Sequence, residues 1–116
     1  MKVLGLVRDL FFRSKIDAVA NAVGGIELAY ASTLDAARGR MAELSPAMIF
    51  VDLSDGTFTP AEVISAAAAI PDAELIGFAS HVDMKVFKSA REAGFKRVLS
   101  KQEFTAALPA LLSLRP

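Results

Sequence analysis

Two spacings of apolar residues take turns along this chain, one of short runs and one of helical recurrence. Lys2 to Val7 is a short, nearly continuous apolar run, and it reads as a first strand. Leu10-Phe11-Phe12-Arg13 read as a loop. Ile16, Val19, Ala20 and Val23 then recur at helical spacing. Ser14, with Asp17 three residues on, has the form of an N-cap pair for that helix, and Gly24-Gly25 ends it. Ile26, Leu28 and Tyr30 alternate with Glu27, Ala29 and Ala31, the pattern of a half-exposed edge strand. Ser32 or Thr33 caps a second helix through Leu34, Ala37, Met41 and Leu44, and Pro46 follows its stop.

Met48-Ile49-Phe50-Val51-Asp52 is the stretch around which the rest is arranged. A short apolar run bounded by the turn residues Leu53-Ser54-Asp55-Gly56 predicts a strand buried on both faces, with Asp52 at its carboxyl end. Thr59-Pro60-Ala61-Glu62 then announces a helix: threonine can cap, proline suits the first helical position, and Glu62 can reach back to the cap. That helix carries Val63, Ile64, Ala67 and Ile70 and halts at Pro71, and its small residues Ala66 to Ala69 predict close packing on a sheet. Leu75 to Ala79 is a further buried strand leading into Ser80-His81-Val82. Asp83 caps a helix through Met84, Val86, Phe87, Ala90 and Ala93, closed by Gly94. Lys96 to Ser100 form a more polar last strand. Ser100 and Glu103 have capping-box spacing, and Phe104, Ala107, Leu108, Leu111 and Leu112 form the final apolar face, with Pro109 predicting a kink or a late start.

Strand and helix thus alternate five times, without a linker or an internal repeat. Such alternation implies parallel strands, right-handed crossovers and helices on both faces of the sheet. Strands one, three and four are the apolar ones and belong at the centre; two and five belong at the edges. The fold expected is α/β, a flavodoxin-like (βα)5 three-layer sandwich with sheet order 2-1-3-4-5, as one domain spanning residues 1–116.

Composition narrows the function classes. Lys+Arg and Asp+Glu number 13 each, so no basic excess points to nucleic acid or an acidic membrane surface. There is no cysteine and one histidine, which excludes thiolate metal sites and argues against a zinc cluster. Arg8 and Asp9 interrupt the amino-terminal apolar run before it reaches signal-peptide length, and no run is long enough to span a bilayer. A cytoplasmic protein is the expectation.

In the order 2-1-3-4-5, strands one and three are neighbours, so Asp9 and Asp52 are expected at the same edge of the sheet, where ligands collect in open α/β folds. Two carboxylates with a backbone carbonyl from the following loop, at Ser54, suit a hard cation such as Mg²⁺. Lys101, just after strand five, is placed to meet a phosphoryl group. Each residue has a plain structural use as well. Asp52 can accept N–H groups of its own loop, Asp9 can pair with Arg8, Arg13 or Lys101, and Lys101 can neutralise the two acids.

These positions together resemble the receiver domain of two-component response regulators, the CheY-like family, over essentially the whole chain. The likeness includes the acid after strand one, the aspartate ending strand three, Ala93-Gly94 and Lys101. It implies that Asp52 accepts a phosphoryl group, that Asp9, Asp52 and Ser54 hold Mg²⁺, and that Lys101 contacts the phosphate. Four positions depart from the family pattern. Arg8 replaces the first of two paired acids, leaving a guanidinium to pair with Asp52 or with a bound phosphate. Ala79 stands where a hydroxyl usually ends strand four, with Ser80 the adjacent hydroxyl and second phosphate-contacting candidate. Val98 takes the aromatic switch position, and Gln102 the proline after the lysine. The resemblance implies a regulatory protein without enzymatic activity, whose partner is a sensor kinase or an output protein engaging the fourth helix, fifth strand and fifth helix. The alternatives are a phosphorylation-independent pseudo-receiver module and a flavodoxin-like binder of a small ligand such as FMN. His81 is given no catalytic role. Phe11 and Phe12 are expected as a hydrophobic lid on the first helix, or, if exposed, as part of a binding patch.

Overall fold

Strand β3 (Met48–Asp52) is buried along its whole length because it sits in the middle of a parallel sheet covered on both faces. The computed structural model describes residues 1–113. In them β3 is flanked by β1 (Lys2–Leu6) and β4 (Glu74–Ala79), with β2 (Glu27–Tyr30) beyond β1 and β5 (Arg97–Ser100) beyond β4, in the order β2-β1-β3-β4-β5. All four pairings are parallel, and the register sets Leu6 beside Val51, Asp52 beside Phe78, and Ala79 beside Ser100. The sequence expectation of a flavodoxin-like sheet in this order is met.

Alternation along the strands divides the core into two layers. Val3, Met48, Phe50, Ile76 and Phe78 point toward α1 (Leu10–Val23) and α5 (Lys101–Leu112), meeting Phe12, Ile16 and Ala20 from one helix and Phe104, Leu108 and Leu112 from the other. Leu4, Leu6, Ile49, Val51 and Ala79 point the other way. They meet α2 (Leu34–Leu44), α3 (Pro60–Ala67) and α4 (Met84–Ala93) through Met41, Val63, Ala66, Phe87 and Ala90. An aromatic plug ties the first layer together. The Phe78 ring stacks on Phe104 at 4.3 Å and on Phe12 at 4.8 Å, and Phe50 meets Phe104 edge-on at 4.9 Å.

Several boundaries differ from the sequence expectation. Helix α1 opens at Leu10, not near Ser14, because Asp9 caps it; the supposed loop of residues 10–13 is its first turn. Phe12 is buried one turn before Ile16, whereas Phe11 is 83% exposed, so only one of the two rings covers the core. Helix α3 ends at Ala67, well before Pro71, and of the small run only Ala66 and Ala67 are buried. At its start the Thr59 hydroxyl donates to the Glu62 carboxylate at 2.6 Å, and neither side chain bonds the helix backbone, so a side-chain contact stands in place of the expected cap. Helix α5 begins on time and continues through Pro109, which lies on its exposed side.

Residues outside the core hold the β2 edge. Arg13 donates to the Val7 carbonyl at 2.6 Å and to Ser32 Oγ at 2.8 Å, and its guanidinium lies 4.6 Å from the Tyr30 ring centre. The Tyr30 hydroxyl donates to Asp17 Oδ1 at 2.8 Å; burial, with that carboxylate beside it, pushes the phenol well above its ordinary range.

Gly77 is the tightest point under β4. A Cβ there would lie 2.9 Å from Leu53 Cδ1 and 3.3 Å from the Phe95 ring, both buried. Gly77→Ala should therefore destabilise the protein by about 1–3 kcal/mol, the range for overpacking a core, read as a lower urea midpoint with an unchanged slope.

Candidate functional site

Asp52 is a charged residue that is 3% exposed, and its burial makes it the natural starting point. A carboxylate taken out of bulk water must be hydrogen-bonded. Ser54 provides this twice: its amide donates to Asp52 Oδ1 at 3.0 Å, and its hydroxyl donates to the same oxygen in a short contact. Oδ2 accepts no hydrogen bond from the protein, and no fully buried side-chain oxygen among the described residues lacks a partner. One oxygen is thus pinned and the other open to solvent. By strand alternation Asp52 lies on the face of Met48 and Phe50, the side of α1 and α5.

The neighbouring strands bring the other sequence-predicted residues to the same edge. Asp9 follows β1 as the N-cap of α1, its Oδ1 accepting from the amides of Phe11 at 2.9 Å and Phe12 at 3.3 Å. It pairs with none of Arg8, Arg13 or Lys101. Ser80 stands one residue beyond β4, half-buried, with its hydroxyl free of any protein partner among the described residues. Lys101 stands one residue beyond β5, as the first residue of α5. Its ammonium has no hydrogen bond or ion pair among the described residues. The register that pairs Ala79 with Ser100 sets Ser80 and Lys101 at successive places past the strand ends.

Lys101 owes its position to the turn before it. Ser100 Oγ accepts from the Glu103 amide at 3.0 Å, while Glu103 Oε1 accepts from the Ser100 amide at 2.8 Å, a complete capping box. That backbone bond, reinforced by the Ser100 side chain, lowers the Glu103 pKa.

Sequence reasoning missed the anchor of Arg8. Its Nη1 donates to Thr57 Oγ1 at 2.7 Å and lies 3.8 Å from Asp55 Oδ2, while the Thr57 amide donates to Asp55 Oδ1 at 2.9 Å. The guanidinium therefore leans on the loop after β3 and forms no ion pair with Asp52. The turn residues Asp55-Gly56-Thr57 were the available signal, since an aspartate that bonds two residues ahead leaves its second oxygen facing out.

The residues present do not fit a divalent cation. Arg8 places a positive charge next to Asp9, and Asp9 and Asp52 each commit an oxygen to N–H or O–H donors. Among the described residues no three His, Cys, Asp or Glu side chains converge on a cation site. Only Val7, Arg8 and Asp9 separate β1 from α1, and none of them is a glycine.

No family model matches the chain, and no curated protein is similar to it in sequence. Solved structures are similar in fold. A response regulator from Thermotoga maritima superposes with a TM-score of 0.78 at 14% identity, over 96% of this chain and 92% of that one. The signal receiver domain of a DNA-binding response regulator from Colwellia psychrerythraea gives 0.75 at 13% identity, over 98% and 99%. The response regulator domain of Thermotoga maritima CheB gives 0.73 at 16% identity, over 100% and 98%. The chain has the receiver-domain fold. No helix among the described residues is long and apolar enough to cross a membrane.

Two outcomes follow from the caps. Asp9→Ala leaves the first turn of α1 without its acceptor and should cost about 1 kcal/mol in urea denaturation. Glu103 has a folded-state pKa below its unfolded one, so its contribution is present above the unfolded value and lost as pH falls through the folded one. Between those values, stability should fall less steeply with acid in Glu103→Gln than in the wild type.

Proposed function

We propose that this chain is a signalling module of the receiver type, regulatory and not enzymatic, in which Asp52 accepts a phosphoryl group and a protein partner reads the result. One observation carries the reading: a carboxylate at the end of the central strand with Oδ1 locked by Ser54 and Oδ2 facing solvent. A nucleophile held by one oxygen presents the other in a fixed direction, the geometric requirement for in-line attack on phosphorus. Lys101 and Ser80, both with free polar groups next to that edge, are the phosphate contacts. The partner is a sensor kinase or an output protein. Exposed apolar residues support protein binding near the site: Leu10 and Phe11 follow β1, and Val82 and Met84 follow β4.

A second reading, a module that binds its partner without phosphorylation, is favoured by Ala79 and Val98. The first is fully buried in the α3–α4 layer and the second half-buried beside it, so neither a hydroxyl nor an aromatic ring is present at these positions to relay a modified Asp52. The two readings differ in a single measurement. Intact-mass analysis after incubation with acetyl phosphate should show a hydroxylamine-labile phosphoryl adduct in the wild type and none in Asp52→Asn. A folded wild-type protein that stays unmodified under every condition would leave the phosphorylation-independent module.

A further inference from the structure

We infer that Arg8 and Lys101 supply the positive charge that a divalent cation would otherwise bring, so that Asp52 is phosphorylated without metal. This rests on the reading of Asp52 as phosphoacceptor.

The chemistry sets the requirement. Asp52 Oδ2 donates a lone pair to phosphorus, the bond from phosphorus to the donor's leaving oxygen breaks, and acetate, for acetyl phosphate, departs with the electron pair. No proton moves at the attacking carboxylate in this step. An anion therefore approaches an anion, and the phosphoryl oxygens need fixed positive charge or oriented N–H donors around them.

The donors at this edge are cations of the protein itself. Arg8 is steadied on one side by Thr57 Oγ1 and Asp55, while its Nε and Nη2 donate to no protein group among the described residues. A planar guanidinium with one nitrogen anchored and the others free is suited to receive phosphoryl oxygens. The loop that anchors it begins at Asp52, so the charge is tied to the chain segment that carries the nucleophile. Lys101, half-buried and unpaired, adds a second positive charge from β5's end. The acids that would favour a metal are disposed otherwise. Asp9 caps α1, and Asp55 lies beside Arg8.

The test follows the rate of acetyl phosphate labelling on the full chain, in EDTA and in Mg²⁺. The variants are Arg8→Gln, Thr57→Val and Arg8→Asp, each checked for folding by circular dichroism, with Asp52→Asn as the blank. The wild type should label in EDTA at a rate that magnesium does not raise. Arg8→Gln should label roughly 100-fold to 1,000-fold more slowly, as removal of one transition-state donor does, and Thr57→Val by less because the charge remains. Arg8→Asp should label only with magnesium. A second measurement needs no phosphodonor: amide spectra during a Mg²⁺ titration should shift around Asp9 and Asp52 in Arg8→Asp and stay unchanged in the wild type.

Wild-type labelling that requires magnesium, or undiminished labelling of Arg8→Gln in EDTA, overturns the inference and leaves Asp52 as phosphoacceptor. Magnesium-induced shifts at those residues in the wild type also overturn it. No adduct on any variant in either buffer removes the phosphoacceptor reading and this inference with it.

Discussion

A carboxylate at the end of a strand buried on both faces must find its hydrogen bonds in the few residues that follow it. Asp52 does so through Ser54, whose amide and hydroxyl converge on one oxygen. The site geometry depends on that arrangement. It leaves the other oxygen without a protein partner, and it lies at the start of the loop that later reaches Arg8 through Asp55 and Thr57. Removing either Ser54 donor would leave a buried charge short of a partner, costly in a region of low dielectric.

The same edge shows how two helices can be started without placing their caps at odds with the site. Asp9 and Ser100 each satisfy amides of the first helical turn, and each is followed or preceded by a cation, Arg8 before one and Lys101 after the other. Negative charge at a helix start is favourable, so Asp9 gains by capping α1. The two cations have no comparable partner within the fold at full strength: Arg8 is held by a hydroxyl and a distant carboxylate, and Lys101 by none among the described residues. Positive charge is thus left available at the carboxyl edge of the sheet.

Most of the architecture was legible because it depends on long, repeated patterns. Continuous apolar runs marked β1, β3 and β4 as central, and polar alternation marked β2 and β5 as edges, which is enough to order the sheet. The errors lie where a local signal had two meanings. Ser14 and Asp17 have the spacing of a cap, but they sit inside α1; Leu10 and Phe11 are apolar and exposed, which blurred the helical spacing back to Phe12. Pro71 looked like a stop, yet α3 had ended earlier at Ala67. For the site, sequence brought Asp9, Asp52, Ser80 and Lys101 to one edge, since Asp52 ends its strand and the others lie one to three residues past theirs. It did not show that Ser54 would act as a donor to Asp52, nor that Arg8 would find Thr57. Those contacts join loops, whose paths periodicity does not encode.

The outer strands have a consequence for how this molecule meets others of its kind. A chain in which 53% of residues are hydrophobic carries an obvious hazard of self-association through its open sheet borders. Both borders are only four residues long, one beginning at Glu27 and the other at Arg97, which is paired with Glu74 at 3.4 Å. Such short, charged ladders offer an incoming strand little length to zip against and a desolvation cost at its first step. The apolar interior is thereby kept from recruiting further strands.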